Sequence, residues 1–348
     1  MGWFLGIGLL VLGIVLIVGF FVIGGPKDSS VPKLEEGKLP LSTPSQSLVE
    51  FIAELQKCIR EDDIMALGQV VDELEAYPSD KQAAAKEFLI NSGLVEKLKP
   101  GLAEVDCRIR ALTAERLGKL GGDGIPRLLF EAMADRNEEV RLAATAALKK
   151  VGEASIAGLL VKALKEPNKW LPARVAEVLI SLGQSAVPAL RDALGDNDPV
   201  FRGYVIEILG EIGDTSSAEA LYQALRDDNG NIRLQAARAL GFIAHANSVP
   251  LLADLLNDPE MKVRVQAVRS MGKIGGADAI GCLAEALGHE DNLVRNVAAE
   301  VLRHMGPEGL AALQAAVANE THPAREKARE ILREEGISES VRINISYK

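Results

Sequence analysis

Histidine and cysteine carry much of the metal and nucleophilic chemistry of proteins, and this 348-residue chain has four of the first and three of the second. His245, His289, His304 and His322 are too few and too scattered for a histidine-rich metal site. Cys58, Cys107 and Cys282 are odd in number and far apart, so they imply no disulfide framework, and the latter two read as small buried apolar residues. The chain has no Gly-x-x-x-x-Gly-Lys-Ser/Thr loop, no Gly-x-Ser-x-Gly elbow and no Cys-x-x-Cys pair. Gly121-Gly122-Asp123-Gly124 and Gly275-Gly276 have the composition of phosphate loops. One His-Glu pair, His289-Glu290, stands among these residues. The expectation is a chain without catalytic, cofactor-binding or metal-binding residues.

A period of 30 or 31 residues explains where most of these groups lie. Arginine recurs at Arg110, Arg141, Arg202, Arg233, Arg264, Arg295 and Arg325, with Pro172 in the column at the third copy. The residue before it is apolar throughout: Ile109, Val140, Leu171, Phe201, Ile232, Val263, Val294 and Ala324. Seven places after it stand Leu117, Leu148, Leu179, Leu209, Leu240, Met271, Leu302 and Leu332, a core stripe. Eleven places after it stand Gly121, Gly152, Gly183, Gly213, Ala244, Gly275, Gly306 and Gly336, where a helix can end through a positive φ that costs glycine nothing. Both glycine runs therefore fall at helix stops, and Ala244 is expected to end its helix differently. Four places before the arginine stand Asp106, Asn137, Asn168, Asp198, Asn229, Glu260, Asp291 and Thr321, all but Glu260 favoured N-caps. A second apolar run follows each stop, so every period reads as cap, helix, glycine, helix. One such hairpin cannot bury its apolar stripe, and neighbours must stack.

These columns, as in Glu139-Val140-Arg141-Leu142-Ala143-Ala144-Thr145-Ala146-Ala147-Leu148, resemble the short HEAT-like repeats of phycobilisome lyases. The resemblance implies an all-α, right-handed α-solenoid of about eight hairpins over residues 106–336, with residues 47–105 as an atypical N-terminal cap. It leaves function open, because one fold hosts many functions. Bilin lyases and isomerases of the family hold a tetrapyrrole on such a solenoid, yet neither the repeats nor the three cysteines identify a bilin site. Deoxyhypusine hydroxylase, a HEAT-like enzyme, builds a di-iron site from several His-Glu pairs; here one pair lies in a turn. HEAT-like DNA glycosylases need a basic groove and aromatic contacts, whereas this chain has a formal net charge of -10 and 4% aromatic residues.

Six places before each later arginine column stand Asp135, Glu166, Asp196, Asp227, Asp258, His289 and Asn319. They predict a structural ladder in which the acid at one hairpin's end pairs with the next hairpin's arginine.

The stretch that opens at Trp3 and closes at Ile23 is uncharged and mostly apolar, long enough to span about 30 Å of hydrocarbon. No basic n-region precedes it and no Ala-x-Ala signature follows, which favours an uncleaved anchor (residues 1–25) over a signal peptide. Gly2 with Gly6 fails the myristoylation pattern and makes one Gly-x-x-x-Gly. Lys27, Lys33 and Lys38 follow the span and none precedes it, so the positive-inside rule places the repeats in the cytoplasm and the N-terminus outside. Residues 26–46, with Pro26, Pro32, Pro40 and Pro44, read as a flexible linker. Ser47 with Glu50 forms a capping-box pattern where helices resume. Residues 337–348 form a tail in which Val341 to Tyr347 alternates like a strand.

The solvent-facing positions of the second helices are free to vary, so variation there is informative. One such column reads Glu131, Lys162, Asp192, Gln223, Asp254, Glu285 and Ala315, acidic at four of seven places, which suits a partner protein with a basic or polar segment. In the third repeat Trp170 is either a cover for the junction that Pro172 alters or, with Tyr204 and Tyr222, a binding anchor. The sequence thus reads as a membrane-anchored, protein-binding scaffold or assembly factor without nucleic acid as a partner.

Overall fold

The computed structural model describes residues 56–57, 64–76 and 78–337. The apolar stretch at 3–23, the linker, the Ser47 capping box and the tail at 338–348 lie outside the described residues. Among the described residues every regular element is an α-helix or a short 3-10 turn, and no helix is long and apolar enough to cross a membrane.

Three helices, α1 (Ile64–Glu73), α2 (Ser79–Asn91) and α3 (Leu94–Leu98), form the described part of the N-terminal cap. Helical hairpins follow in step with the sequence period: α4 (Cys107–Leu120) with α5 (Ile125–Ala132), then α6 (Glu138–Val151) with α7 (Ala157–Ala163). The third is α8 (Pro172–Leu182) with α9 (Val187–Ala193), and the fourth α10 (Pro199–Ile212) with α11 (Ala218–Ala224). The fifth is α12 (Gly230–Ile243) with α13 (Val249–Asp254), and the sixth α14 (Met261–Ile274) with α15 (Gly276–Ala286). The seventh is α16 (Asn292–Arg303) with α17 (Gly306–Ala318), and the eighth copy is described by its first helix, α18 (Arg325–Glu334). The result is an α-helical repeat solenoid.

Each boundary has a local cause. Asp106, Asn137, Asp198, Asn229 and Asp291 accept from backbone N–H groups of the first turn, as the cap column predicts. Asn168 and Thr321 do not cap, because α8 begins later at Pro172, a residue suited to a first turn, and α18 begins at Arg325. Pro126, Pro188, Pro250 and Pro307 likewise occupy first turns of second helices, where the missing N–H has no helical partner to lose. Ala244 corrects the expectation from sequence. It ends α12 as the glycines end theirs, in the left-handed region with φ 55°, and its N–H donates to the Leu240 carbonyl.

The leucine column is fully buried from Leu117 to Leu332. One place beyond it the sequence holds a second device. Gly118, Gly210, Gly241 and Gly272 face Ala147, Ala239, Ser270 and Val301 of the following repeat, so that consecutive first helices approach backbone to side chain. A Cβ at Gly210 would lie 2.9 Å from the Cα of Ala239, and one at Gly118 would lie 2.4 Å from the Cβ of Ala147. Where Lys149 and Ile180 take that place the first helices pack more thinly: α8 makes fewer contacts with α6 and α10 than α12 makes with α10 and α14.

Two predictions follow from these backbones. Ala244→Gly removes the left-handed strain and raises the thermal midpoint by about 2 °C, whereas Gly213→Ala, at φ 70°, lowers it by a similar amount in the same calorimetric scan. Gly210→Leu forces α10 and α12 apart and lowers unfolding stability by about 2 kcal/mol in denaturant titrations.

Candidate partner-binding surface

The second helices are held by the loops that join one hairpin to the next, and those loops are held by arginine. Arg110 donates from Nε and Nη2 to both carboxylate oxygens of Asp135 at 2.8 Å, and from Nη1 to the Glu104 and Val105 carbonyls. Arg233 does the same with Asp258, at 2.6 and 2.9 Å, while its Nη1 takes the Asp227 carbonyl. Arg202 reaches Asp227 at 2.7 Å, and Arg264 reaches Asp291. Asp135, Asp227 and Asp258 therefore pair with the arginine of their own repeat, 25 residues upstream, whereas Asp291 is the cap of the next first helix.

This reverses the direction expected from the spacing. The next arginine takes the backbone carbonyl of the same residue instead: Arg141 bonds Asp135, Arg202 bonds Asp196, Arg233 bonds Asp227, Arg264 bonds Asp258 and Arg295 bonds His289, at 2.6–2.9 Å. The carboxylate also accepts the N–H two residues on, as from Asn137 to Asp135 and from Glu260 to Asp258. Arg325, the last of the column, donates instead to the Val317 carbonyl.

The ladder's electrostatics follow. Hydrogen bonding from Arg110 holds Asp135 below the ordinary aspartate range, and Arg264 does so for Asp291. Burial pushes Asp258 upward, but the Arg233 guanidinium and the Glu260 N–H together outweigh it and hold this carboxyl low as well.

His289 occupies the acid column at the sixth copy and is used up there. Its Nε2 lies 3.0 Å from the Leu256 carbonyl and its Nδ1 accepts from the Asp291 N–H, so both ring nitrogens serve the turn. No group of three or more His, Cys, Asp or Glu side chains is placed to hold a metal among the described residues.

With the loops clamped, Glu131, Asp192, Asp254 and Glu285 stand exposed on α5, α9, α13 and α15, together with Lys162, Gln223 and Ala315 on the intervening second helices and α17. Glu131 faces Arg127 one turn before it at 3.7 Å. Asp192, Asp254 and Glu285 make no ion pair among the described residues, in contrast to the acids of the ladder. The three aromatic candidates do not gather into one anchor. Trp170 is 5% exposed and stacks on Phe130 of α5, ring centroids 4.3 Å apart, with the Lys169 ammonium over its ring. Its indole covers the altered junction rather than presenting a face to a partner. Tyr204 is half-buried on α10, and Tyr222, on α11, turns its hydroxyl to His245 Nδ1 and Ser248 Oγ of the next repeat, 3.3 and 3.4 Å away.

Two features escaped the sequence reading. Phe130 was legible only as one more apolar residue of a second helix. Arg174 lies two places after Pro172 and pairs with Glu138 of α6, as Arg141 does.

A stack of helical hairpins joined through clamped loops defines the class as an α-solenoid. The model for HEAT repeats matches residues 156–241, 187–260, 218–303 and 249–333, together just over half the chain. The chain belongs to the HEAT-repeat family, whose repeats commonly mediate protein–protein interaction. No curated protein matches the sequence. Among solved structures, an engineered protein is similar at 20% identity and TM-score 0.36, over 76% of this chain and 87% of that one. Human deoxyhypusine hydroxylase in complex with glycerol is similar at 19% identity and TM-score 0.32, over 72% and 99%. A chain from the complex in which Kap95p binds RanGDP is similar at 15% identity and TM-score 0.44, over 77% of this chain and 45% of that one.

The depressed aspartates set a pH dependence. Their folded pKa values lie below the unfolded value of about 4, so the stability they contribute is complete at neutral pH and is lost as pH falls through the folded pKa. Asp258→Asn is therefore less stable than the parent at pH 7, and the difference shrinks by pH 3 in denaturant titrations. Arg233→Ala, which leaves Asp258 buried without its cation, costs about 2 kcal/mol or more at pH 7.

Proposed function

We propose that this chain is a non-catalytic scaffold or assembly factor that binds a protein partner along its second helices and is tethered to a membrane by residues 3–23. The observation that carries the reading is the division of charge. Asp135, Asp227 and Asp258 at hairpin junctions are engaged by arginines, whereas Asp192, Asp254 and Glu285 stand exposed on the second helices α9, α13 and α15 with no ion pair among the described residues. Membership of the HEAT-repeat family supports a binding role, and the three lysines after the apolar stretch support a cytoplasmic array.

The partner's chemistry follows from the spacing. Neighbouring helices pack about 8–10 Å apart, so acids on alternate repeats lie roughly 20 Å from one another. An extended segment rises about 3.3 Å per residue, which places the basic residues facing Asp192 and Asp254 roughly six residues apart and those facing Asp254 and Glu285 roughly three apart. Such contacts at an exposed groove set register and association rate more than affinity, and they weaken as salt rises.

The test uses the full-length protein, purified in mild detergent from its native cell and examined by mass spectrometry and absorption spectroscopy. A stoichiometric polypeptide without chromophore or iron is the expected result. The combined variant Asp192→Lys, Asp254→Lys and Glu285→Lys is expected to weaken that complex at least about tenfold at low salt and to flatten its salt dependence. A partner-free protein carrying a bilin or iron would replace this reading with tetrapyrrole handling or metal chemistry.

A further inference from the structure

We propose that the third repeat is the bending point of the solenoid, with the second helices α7 and α9 as the pivot and the first helices α6, α8 and α10 opening and closing around it. Two losses converge on this repeat, that of the arginine clamp and that of the close approach between first helices.

The clamp is lost on both its sides. Pro172 removes the arginine that would take the Glu166 carbonyl; that carbonyl accepts instead from the Lys169 and Trp170 N–H groups of its own loop. The Glu166 carboxylate is likewise unclaimed by Arg141, which turns to Glu138. At the far side the Asp196 carboxylate pairs with Lys165 in place of an arginine. Each substitute is a flexible lysine or a pair at an exposed edge, and such contacts hold geometry less tightly than a bidentate arginine.

The close approach of first helices is also lost. Lys149 and Ile180 stand where Gly118, Gly210 and Gly241 allow backbone contact, and α8 packs thinly on both neighbours. Leu142, Leu171 and Ile180 are left partly exposed along this stretch, at 53%, 53% and 37%. Arg174 reaches back to Glu138 and not to the Glu166 carbonyl or the Asp196 carboxylate that Pro172 leaves without an arginine.

A hinge also needs something that stays fixed. The second layer supplies it: α7 and α9 remain packed, with Leu160, Val187 and Leu190 buried between the layers, and the Phe130–Trp170 stack ties the loop before α8 to the first repeat. The first layer can therefore spread while the second holds, which changes the curvature of the array at one place. Elsewhere, from α10 to α14, the arginine clamp and the glycine contacts act together and the repeats move as a block.

The proposal concerns the free protein and does not rest on a partner. The experiment is pulsed electron spin resonance on the full chain with its three native cysteines changed to serine, labelled at two cysteine pairs. Ala146→Cys with Glu207→Cys spans the third repeat, and Glu207→Cys with Arg269→Cys spans the same number of junctions beyond it. The first pair is expected to give a distance distribution about twofold broader than the second, broadening further in high salt as the Arg174–Glu138 and Lys165–Asp196 pairs weaken. Equal widths overturn the proposal. Pro172→Arg, which restores the ladder residue, is expected to narrow the first distribution; an unchanged width in this variant, with helical content intact by circular dichroism, overturns the lost clamp as its cause.

Discussion

At three hairpin junctions the closing aspartate offers two acceptors at once, a backbone carbonyl and a side chain, and two different arginines take them. Asp135 gives its carboxylate to Arg110 and its carbonyl to Arg141; Asp227 and Asp258 repeat the arrangement. A half-buried guanidinium needs several acceptors in a fixed fork, and a hairpin loop has carbonyls left over from the helix it ends. Each need meets the other, and the loop between hairpins becomes as fixed as the helices it joins. The orientation of the second helix that precedes each such junction depends on it.

A consequence is a division of labour between the two layers. First helices carry the glycine contacts, the arginines and the buried leucines, so their side chains are committed to neighbours. Second helices are short, entered through 3-10 turns such as Ala154–Ile156 and Thr215–Ser217, and keep their outer positions free. Variation in charge accumulates where it disturbs no contact, which is why the column from Glu131 to Ala315 differs at nearly every repeat while the leucine column scarcely changes. That contrast separates scaffold from surface without reference to any other protein.

The periodic part of the fold was legible because stacking forces the same solution on each hairpin: leucine at the buried place, glycine at the stop, an oxygen-bearing residue at the cap. What failed to show was direction and exception. An acid six residues before one arginine and 25 after another looks nearer to the first, yet its carboxylate must also accept the N–H two residues on, and that turns it toward its own repeat. Ala244 ends α12 in a conformation glycine prefers because the surrounding hairpin dictates the turn whatever residue occupies it. Asn168 and Thr321 have cap chemistry without a helix start beside them, since Pro172 and Arg325 open those helices. The glycines at 118, 210, 241 and 272 were in plain view one place after the leucines, but their meaning needs the opposing chain. The acidic column was visible as a pattern, while the lack of ion partners for Asp192, Asp254 and Glu285 among the described residues shows only in the folded chain.

The direction of the ladder bears on how such a chain is made. An arginine that waited for an acid in the next hairpin would leave each repeat open until its successor existed. Here Arg110 finds its carbonyls at Glu104 and Val105, already behind it, and its carboxylate at Asp135, the close of its own hairpin. A repeat clamped in this way is sealed by residues it already contains and docks onto what precedes it. As the polypeptide leaves the ribosome, the array can lengthen by one clamped hairpin at a time, each new hairpin covering the apolar face that the last one left open.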